Sequence, residues 1–183
     1  TIEVVGKRRL RGAEHNVIPD RIEAGTFMVA GAVTGGKLRL ENAPCDHLAS
    51  FIETLQRVGV GVECGTDTID VDGSGCLDGG YRACDISTAP YPGLATDLQP
   101  PTSVLLTQAV GRSTVHETIF EDRLEWLGEV RRMGAEVDVV DDHHAVITGQ
   151  SHLRGAEVEI GDLRAGASLI LAALAAEGTT TIH

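Results

Sequence analysis

The pentapeptide Leu-Arg-Gly-Ala-Glu occurs twice in this chain, at residues 10–14 and again at residues 153–157. Each copy is soon followed by an aspartate, Asp20 or Asp162, and a glycine follows that aspartate after 16 residues. The residues between aspartate and glycine are rich in Ala and other good helix formers, and glycine commonly follows a helix C-terminus. The repeat therefore predicts a fold built from several copies of one helix–strand unit.

Three helices are predicted at equivalent places in the repeat, over residues 21–35, 98–110 and 163–177. Each is followed by a segment in which apolar and polar residues alternate, which is the pattern of a half-buried strand. In two of the units a second helix follows, with Asp46 or Asp122 as the predicted N-cap and a glycine at its end. Further strands then complete these units.

The three units cover approximately residues 10–75, 82–150 and 153–183. The third unit stops where its second helix is expected, so we expect two complete units and a truncated third within a single domain, residues 1–183. The chain is on this view a fragment. The truncation predicts exposed apolar surface around residues 169–176, or burial of that surface by self-association with another copy.

The polarity of the helices and strands predicts how they are layered. Residues 27–33 and 168–176 are apolar nearly all round, so these helices must be enclosed on all sides. The strands alternate, which suits sheets with one face toward the helices and the other toward water. The sequence therefore predicts an α/β fold with helices inside and sheets outside.

Composition excludes several classes of partner. Fifteen Lys and Arg against 27 Asp and Glu give a formal charge of −12, which disfavours nucleic acid and anionic membrane surfaces. The longest apolar stretch, residues 166–178, is too short to span a bilayer, and the N-terminus lacks the order of a signal peptide. We therefore expect a soluble, cytoplasmic protein, with its four cysteines as reduced thiols that take no part in chemistry.

Five segments, in this order and spacing, resemble the enolpyruvyl transferase family in its UDP-N-acetylglucosamine branch: DRIEAGTF, TAPYPGLATDLQ, ETIFEDR, RRMGAEV and DLRAGASLILA. The resemblance covers essentially the whole chain. It implies an inverse α/β barrel, or α-β prism, of βαβαββ units, one of two such barrels that flank the active site. The implied reaction transfers enolpyruvyl from phosphoenolpyruvate to the 3-hydroxyl of UDP-N-acetylglucosamine. It needs no cofactor or metal, and it is the first committed step of bacterial peptidoglycan synthesis, on which cell-wall biogenesis, cell shape and cell division depend.

The resemblance also implies roles for individual residues. Asp97, preceded by Thr96, corresponds to the carboxylate that binds the sugar hydroxyl and is the candidate base. Arg123 and Arg164 correspond to positions on the phosphoenolpyruvate side of the cleft, where a guanidinium can donate two parallel hydrogen bonds to a carboxylate or phosphate. Ile119 corresponds to a backbone contact with the uridine nucleotide, although it could also be simply a buried strand residue.

Each charged candidate has an architectural alternative. Asp97 could be only a helix cap, because aspartate at a helix start accepts hydrogen bonds from free backbone N–H groups. Arg123 could pair with Glu121 or Asp122, and Arg164 with Asp162, as ordinary surface ion pairs. The first unit carries Arg21 at the turn equivalent to that of Arg164, so the turn itself could favour arginine.

The chain also departs from the family pattern, with Leu94 and Ala95 in place of Phe-Pro, and Asp122 and Leu124 flanking Arg123 in place of Asn and Phe. The family's lysine–asparagine pair and its loop cysteine or aspartate are absent, so the isolated chain is expected to be inactive without the second barrel.

Two other functions remain open: that of the sister enzyme 5-enolpyruvylshikimate-3-phosphate synthase, and that of a non-catalytic barrel of the same fold. The histidines at 143–144 are interpreted as a hairpin tip rather than a metal site.

Overall fold

The first unit folds as a helix, a strand, a second helix and a hairpin in the computed structural model, which describes residues 2–77 and 79–183. Its elements are α1 (Arg21–Val33), β1 (Lys37–Glu41), α2 (Ala49–Val58), β2 (Gly61–Cys64) and β3 (Thr68–Asp72). The three strands form an antiparallel sheet in the order β1-β3-β2. Their inward residues alternate with outward ones, as the sequence pattern predicts.

The second unit repeats this plan and adds a strand before its first helix. Four strands form a sheet in the order β4-β5-β7-β6, with β4 parallel to β5 and the other pairs antiparallel. The elements in chain order are β4 (Ile86–Ser87), α3 (Gln99–Thr107), β5 (Gly111–His116), α4 (Leu127–Arg132), β6 (Glu136–Val139) and β7 (His144–Gly149).

The third unit consists of β8 (Glu157–Val158), α5 (Leu163–Ala175) and β9 (Thr181–Ile182). Strands β8 and β9 pair in parallel, as β4 and β5 do in the second unit. The first helix of every unit therefore lies close to its predicted position.

The helices α1, α3 and α5 pack against one another in the centre of the molecule. Every residue of α3 is buried, and the inward residues of the sheets join the same apolar core. Helices thus lie inside and sheets outside, which confirms the predicted inverse α/β barrel. None of the helices in the described residues has the length and apolar character needed to cross a membrane.

The predicted helix α5 is less enclosed than its sequence indicates. Leu169 and Leu171 are buried, but Ile170 and Leu174 are each about half exposed. Phe27 on α1 is half exposed too. The apolar surface expected at the third unit is therefore present.

The two copies of the repeated pentapeptide have different environments. In the third unit Leu153 is 2% exposed and Arg154 forms a bridge with Glu177, just before β8. In the first unit Leu10 is 90% exposed, and residues 10–14 belong to no strand. The same five residues therefore include a strand bridge in the third unit but belong to no strand in the first.

Two predicted N-caps are wrong. Asp46 lies within a short 3₁₀ helix, Cys45–Leu48, that precedes α2, so it does not flank the helix. Asp122 has a φ of 58°, whereas an N-cap residue needs an extended backbone, and α4 begins only at Leu127. The predicted glycine ends hold, because Gly59 and Gly134 adopt positive φ after α2 and α4.

The expectation of four free thiols is also wrong. Cys45 and Cys64 form a disulfide, with their Cα atoms 6.1 Å apart, while Cys76 and Cys84 are free. The first-unit sheet brings the end of β2 beside the 3₁₀ helix that begins at Cys45. This proximity comes from the sheet and cannot be read from the spacing of the cysteines in the sequence.

Candidate functional site

The N-termini of the three central helices open toward the same region. Asp97, just before α3, contacts Arg164 in the first turn of α5. Arg21, the first residue of α1, lies over the ring of Tyr91 in the loop that leads to α3. The first residues of the three central helices therefore lie near one another, and two of them, Arg21 and Arg164, are cationic.

Three predicted site residues, Asp97, Arg123 and Arg164, form one cluster, which we call the Asp97 cluster. Nη2 of Arg123 donates a hydrogen bond of 2.7 Å to Oδ1 of Asp97. Nε of Arg164 donates to Oδ2 of Asp97 at 3.0 Å, and Nη2 of Arg164 lies 3.0 Å from the same oxygen. One carboxylate thus faces two guanidinium groups, and the cluster carries a net positive charge in a chain of formal charge −12.

The cluster remains accessible from solvent. The side chains of Arg123, Asp97 and Arg164 are 16%, 32% and 33% exposed. Each guanidinium keeps N–H groups that Asp97 does not use, and a guanidinium fork matches the geometry of carboxylate and phosphate. An anionic ligand can therefore reach the Asp97 cluster directly from solvent.

The structure does not show the alternative roles of these residues, a helix cap for Asp97 and ion pairs with sequence neighbours for the two arginines. Asp97 lies in a 3₁₀ turn, Thr96–Leu98, and the start of α3 has no side-chain cap. Arg123 pairs with Asp97 and not with its neighbour Asp122. Arg164 donates its backbone N–H to Asp162, but its side chain pairs with Asp97.

A cavity of 740 Å³ extends from Asp97 between the first and second units. Its wall includes Thr96, Asp97, Ile119, Arg21 and Tyr91, and it is mainly apolar elsewhere. Large apolar cavities with a few convergent polar groups are the usual form of small-molecule sites. The cavity wall includes three of the five predicted site residues, Thr96, Asp97 and Ile119, whereas Arg123 and Arg164 do not line it.

Ile119 does not lie in a strand, so the strand alternative for it is wrong. It lies in the loop after β5 and is 38% exposed, with its backbone N–H donated to Oε1 of Glu117 at 2.8 Å. The hydroxyl of Thr96 is also engaged, because it donates to Oε2 of Glu117 at 2.8 Å. Both residues line the cavity, and both depend on the same carboxylate.

Glu117 was missed by the sequence analysis as a site residue. A signal was available, because the inward positions of β5 are Ser113 and Val115, and the same alternation places residue 117 inward. A glutamate at an inward position of a strand pattern is unusual, since carboxylates are rarely buried without partners.

The departures from the family pattern lie outside the cluster's hydrogen bonds. Leu94 and Leu124 are buried in the core, and Asp122 is exposed, while the ion pair of Arg123 is with Asp97. The histidines at 143–144 lie at the end of the β6–β7 hairpin, as predicted. Across residues 2–77 and 79–183, no group of three or more His, Cys, Asp or Glu side chains could hold a metal ion.

The fold and the Asp97 cluster together define an inverse α/β barrel with one aspartate and two arginines grouped near the N-termini of its inner helices. The family model for EPSP synthase (3-phosphoshikimate 1-carboxyvinyltransferase) matches residues 1–183, and the chain belongs to this family of carboxyvinyl (enolpyruvyl) transferases.

Two similar relatives are UDP-N-acetylglucosamine 1-carboxyvinyltransferases. The chain is 48% identical over its full length to UDP-N-acetylglucosamine 1-carboxyvinyltransferase 1 of Caldanaerobacter subterraneus subsp. tengcongensis, and covers 43% of that protein. It is 45% identical to the enzyme of Halothermothrix orenii and covers 42% of it. The chain therefore spans less than half the length of these relatives.

Solved structures agree on the fold. The enolpyruvyl transferase NikO from Streptomyces tendae superposes with a TM-score of 0.81 at 32% identity, over 91% of this chain and 38% of that protein. EPSP synthase from Acinetobacter baumannii superposes with a TM-score of 0.70 at 17% identity, over 92% of this chain and 39% of that protein. At that identity the second likeness supports the fold alone.

Proposed function

We propose that this chain forms one barrel of an enzyme that transfers the enolpyruvyl group of phosphoenolpyruvate to the 3-hydroxyl of UDP-N-acetylglucosamine. The observation that carries the proposal is the Asp97 cluster, in which Arg123 and Arg164 each hold one oxygen of a single carboxylate. The identity of 44–48% to carboxyvinyltransferases named for this sugar nucleotide supports the choice of substrate. The second barrel is the proposed partner that closes the site.

The reaction requires a proton acceptor for the sugar hydroxyl and cations for the anionic groups of phosphoenolpyruvate. Asp97 supplies the acceptor, since it lines the cavity in which the sugar hydroxyl would bind. Arg123 and Arg164 supply the cations through N–H groups that Asp97 leaves free. The sugar hydroxyl would compete with the two arginines for the oxygens of Asp97.

The cavity beside Asp97 accommodates the nucleotide part of the proposed substrate. Ile119 and the turn at Thr96 line it, and Arg21 contributes a cation to its wall. The reaction would belong to peptidoglycan synthesis in the bacterial cytoplasm, with consequences for cell-wall biogenesis and cell shape. No cofactor or metal enters the proposal.

The sister reaction on shikimate 3-phosphate is the second candidate, because the matching family model carries that enzyme's name. The EPSP synthase structure, however, is only 17% identical to this chain. The sugar-nucleotide substrate is therefore the better supported of the two.

The test is a phosphate-release assay on the longer protein in which this chain is joined to a second barrel. We expect turnover of phosphoenolpyruvate with UDP-N-acetylglucosamine and none with shikimate 3-phosphate. The reverse preference would establish the sister enzyme, and no turnover with either acceptor would leave a non-catalytic barrel. The 183-residue chain alone is expected to release no phosphate.

A further inference from the structure

Glu117 carries a fully buried carboxylate. Its side chain has 0% exposure, and the ion pairs among the described residues do not include it. Burial of an unpaired charge costs free energy unless several hydrogen bonds replace the lost water. Glu117 therefore has to be held by neighbouring donors, and the identity of those donors shows what it connects.

Three of the four donor residues, Thr96, Ile119 and Phe120, line the cavity. Oε1 accepts from the hydroxyl of Thr88 at 2.9 Å, from the N–H of Ile119 at 2.8 Å and from the N–H of Phe120 at 3.4 Å. Oε2 accepts from the hydroxyl of Thr96 at 2.8 Å. One carboxylate thus ties the loop after β5 to the turn that carries Asp97.

A second layer of contacts fixes Glu117 itself. Its backbone N–H donates to the carbonyl of His143 at 2.8 Å, and its carbonyl lies 2.8 Å from Nδ1 of His143. Thr118 donates its N–H to the Thr88 hydroxyl at 2.8 Å and its own hydroxyl to the Thr88 carbonyl at 2.7 Å. These contacts hold the backbone around Glu117 in place, so its carboxylate has a fixed position and the donors are arranged around it.

We propose that Glu117 is a positioning residue that sets the distance between the Thr96–Asp97 turn and the Ile119–Phe120 loop, and thereby shapes the site for the nucleotide sugar. The proposal rests on the function proposed above. Glu117 does not reach the cavity surface, so it acts through Thr96 and through the two loop amides. The shape of the carboxylate is needed for this, whereas its charge is not.

Three variants separate this role from the alternatives. Glu117→Gln keeps the length of the side chain and an oxygen for the Ile119 and Phe120 amides, while its Nε2 can donate to the Thr96 hydroxyl. Glu117→Asp keeps the charge but is one methylene shorter, so it cannot reach both segments. Glu121→Asp makes the same change at an exposed glutamate nearby and serves as the matched control.

In the longer enzyme, we expect Glu117→Asp to raise KM for UDP-N-acetylglucosamine by about tenfold, the size of one lost hydrogen bond, with a much smaller change in kcat. Glu117→Gln and Glu121→Asp should stay within about twofold of the unmodified enzyme in KM, since a few tenths of a kcal/mol correspond to that factor. Loss of kcat in Glu117→Gln would show that the charge takes part in catalysis. An unchanged KM in folded Glu117→Asp would reduce Glu117 to a structural role, and either result overturns the proposal.

A second measurement on the 183-residue chain needs no substrate. Amide hydrogen exchange of Ile119 and Phe120 should be slow in the unmodified chain and in Glu117→Gln, and should become faster in Glu117→Asp. If the longer enzyme rejects the nucleotide sugar, the proposed function fails, and the exchange rates still decide whether Glu117 holds the loop. Equal exchange in all three proteins would overturn the positioning role independently.

Discussion

The starts of α1 and α3 occupy the same place in the repeat and use their aspartates differently. Asp20 is an N-cap whose Oδ1 accepts from the N–H groups of Ile22 at 2.7 Å and Glu23 at 3.3 Å. Asp97 caps nothing, and its two oxygens accept from Arg123 and Arg164 instead. The aspartate of the third unit, which caps α5, behaves like Asp20.

The prolines at the start of α3 explain the difference. A helix start normally exposes four N–H groups without partners, and the N-cap satisfies one or two of them. Pro100 and Pro101 lie in the first turn of α3 and have no N–H, so fewer donors need a cap there. Asp97 is therefore not needed as an N-cap, and its carboxylate accepts hydrogen bonds from Arg123 and Arg164 instead. Equivalent positions in the repeat can therefore carry the same residue type in different roles.

The largest expected effect is on catalysis and separates the two aspartates. In the longer enzyme, Asp97→Asn should lower kcat/KM by a factor of about 100 or more, the usual scale for loss of a positioned proton acceptor. Asp20→Asn should leave kcat/KM nearly unchanged, because asparagine caps about as well as aspartate. Steady-state phosphate release at saturating phosphoenolpyruvate measures both. Similar activity in the two variants would remove the functional distinction between the helix starts.

A smaller effect is expected on the stability of the first unit. Asp20→Ala should lower the free energy of unfolding by about 1 kcal/mol, the typical cost of a lost N-cap, whereas Asp20→Asn should change it by only a few tenths. Urea unfolding of the 183-residue chain gives both values. If the alanine and asparagine variants were equally stable, the capping hydrogen bonds of Asp20 would contribute nothing measurable.

The sequence alone was sufficient for elements whose pattern is local. The repeat and the apolar helices predict α1, α3 and α5 and their place inside the sheets, because helix periodicity and glycine ends are visible in one segment at a time. Pro100 and Pro101 lie in the first turn of α3, where a residue without an N–H group costs no helical hydrogen bond. The resemblance identified the three residues of the Asp97 cluster, but it did not predict the hydrogen bonds between them.

What the sequence could not supply depends on contacts between distant segments. The disulfide of Cys45 and Cys64 follows from the sheet of the first unit. The role of Glu117 follows from donors that lie up to 29 residues away. The exposed Leu10 and buried Leu153 share the same local sequence, so local sequence does not determine their burial.

The most direct test of the account is a double-mutant cycle between Asp97 and Arg164 in the 183-residue chain. Urea unfolding of Asp97→Asn, Arg164→Gln and the double variant gives the coupling free energy, and Asp20→Asn with Arg21→Gln provides the matched cycle in the first unit. We predict a coupling of about 0.5 to 1 kcal/mol for Asp97 and Arg164, as expected for a partly exposed ion pair, and nearly none for the control. If Asp97→Asn were as stable as the unmodified chain and the coupling with Arg164 were zero, Asp97 would not be held by arginine, and the difference between the two helix starts would disappear.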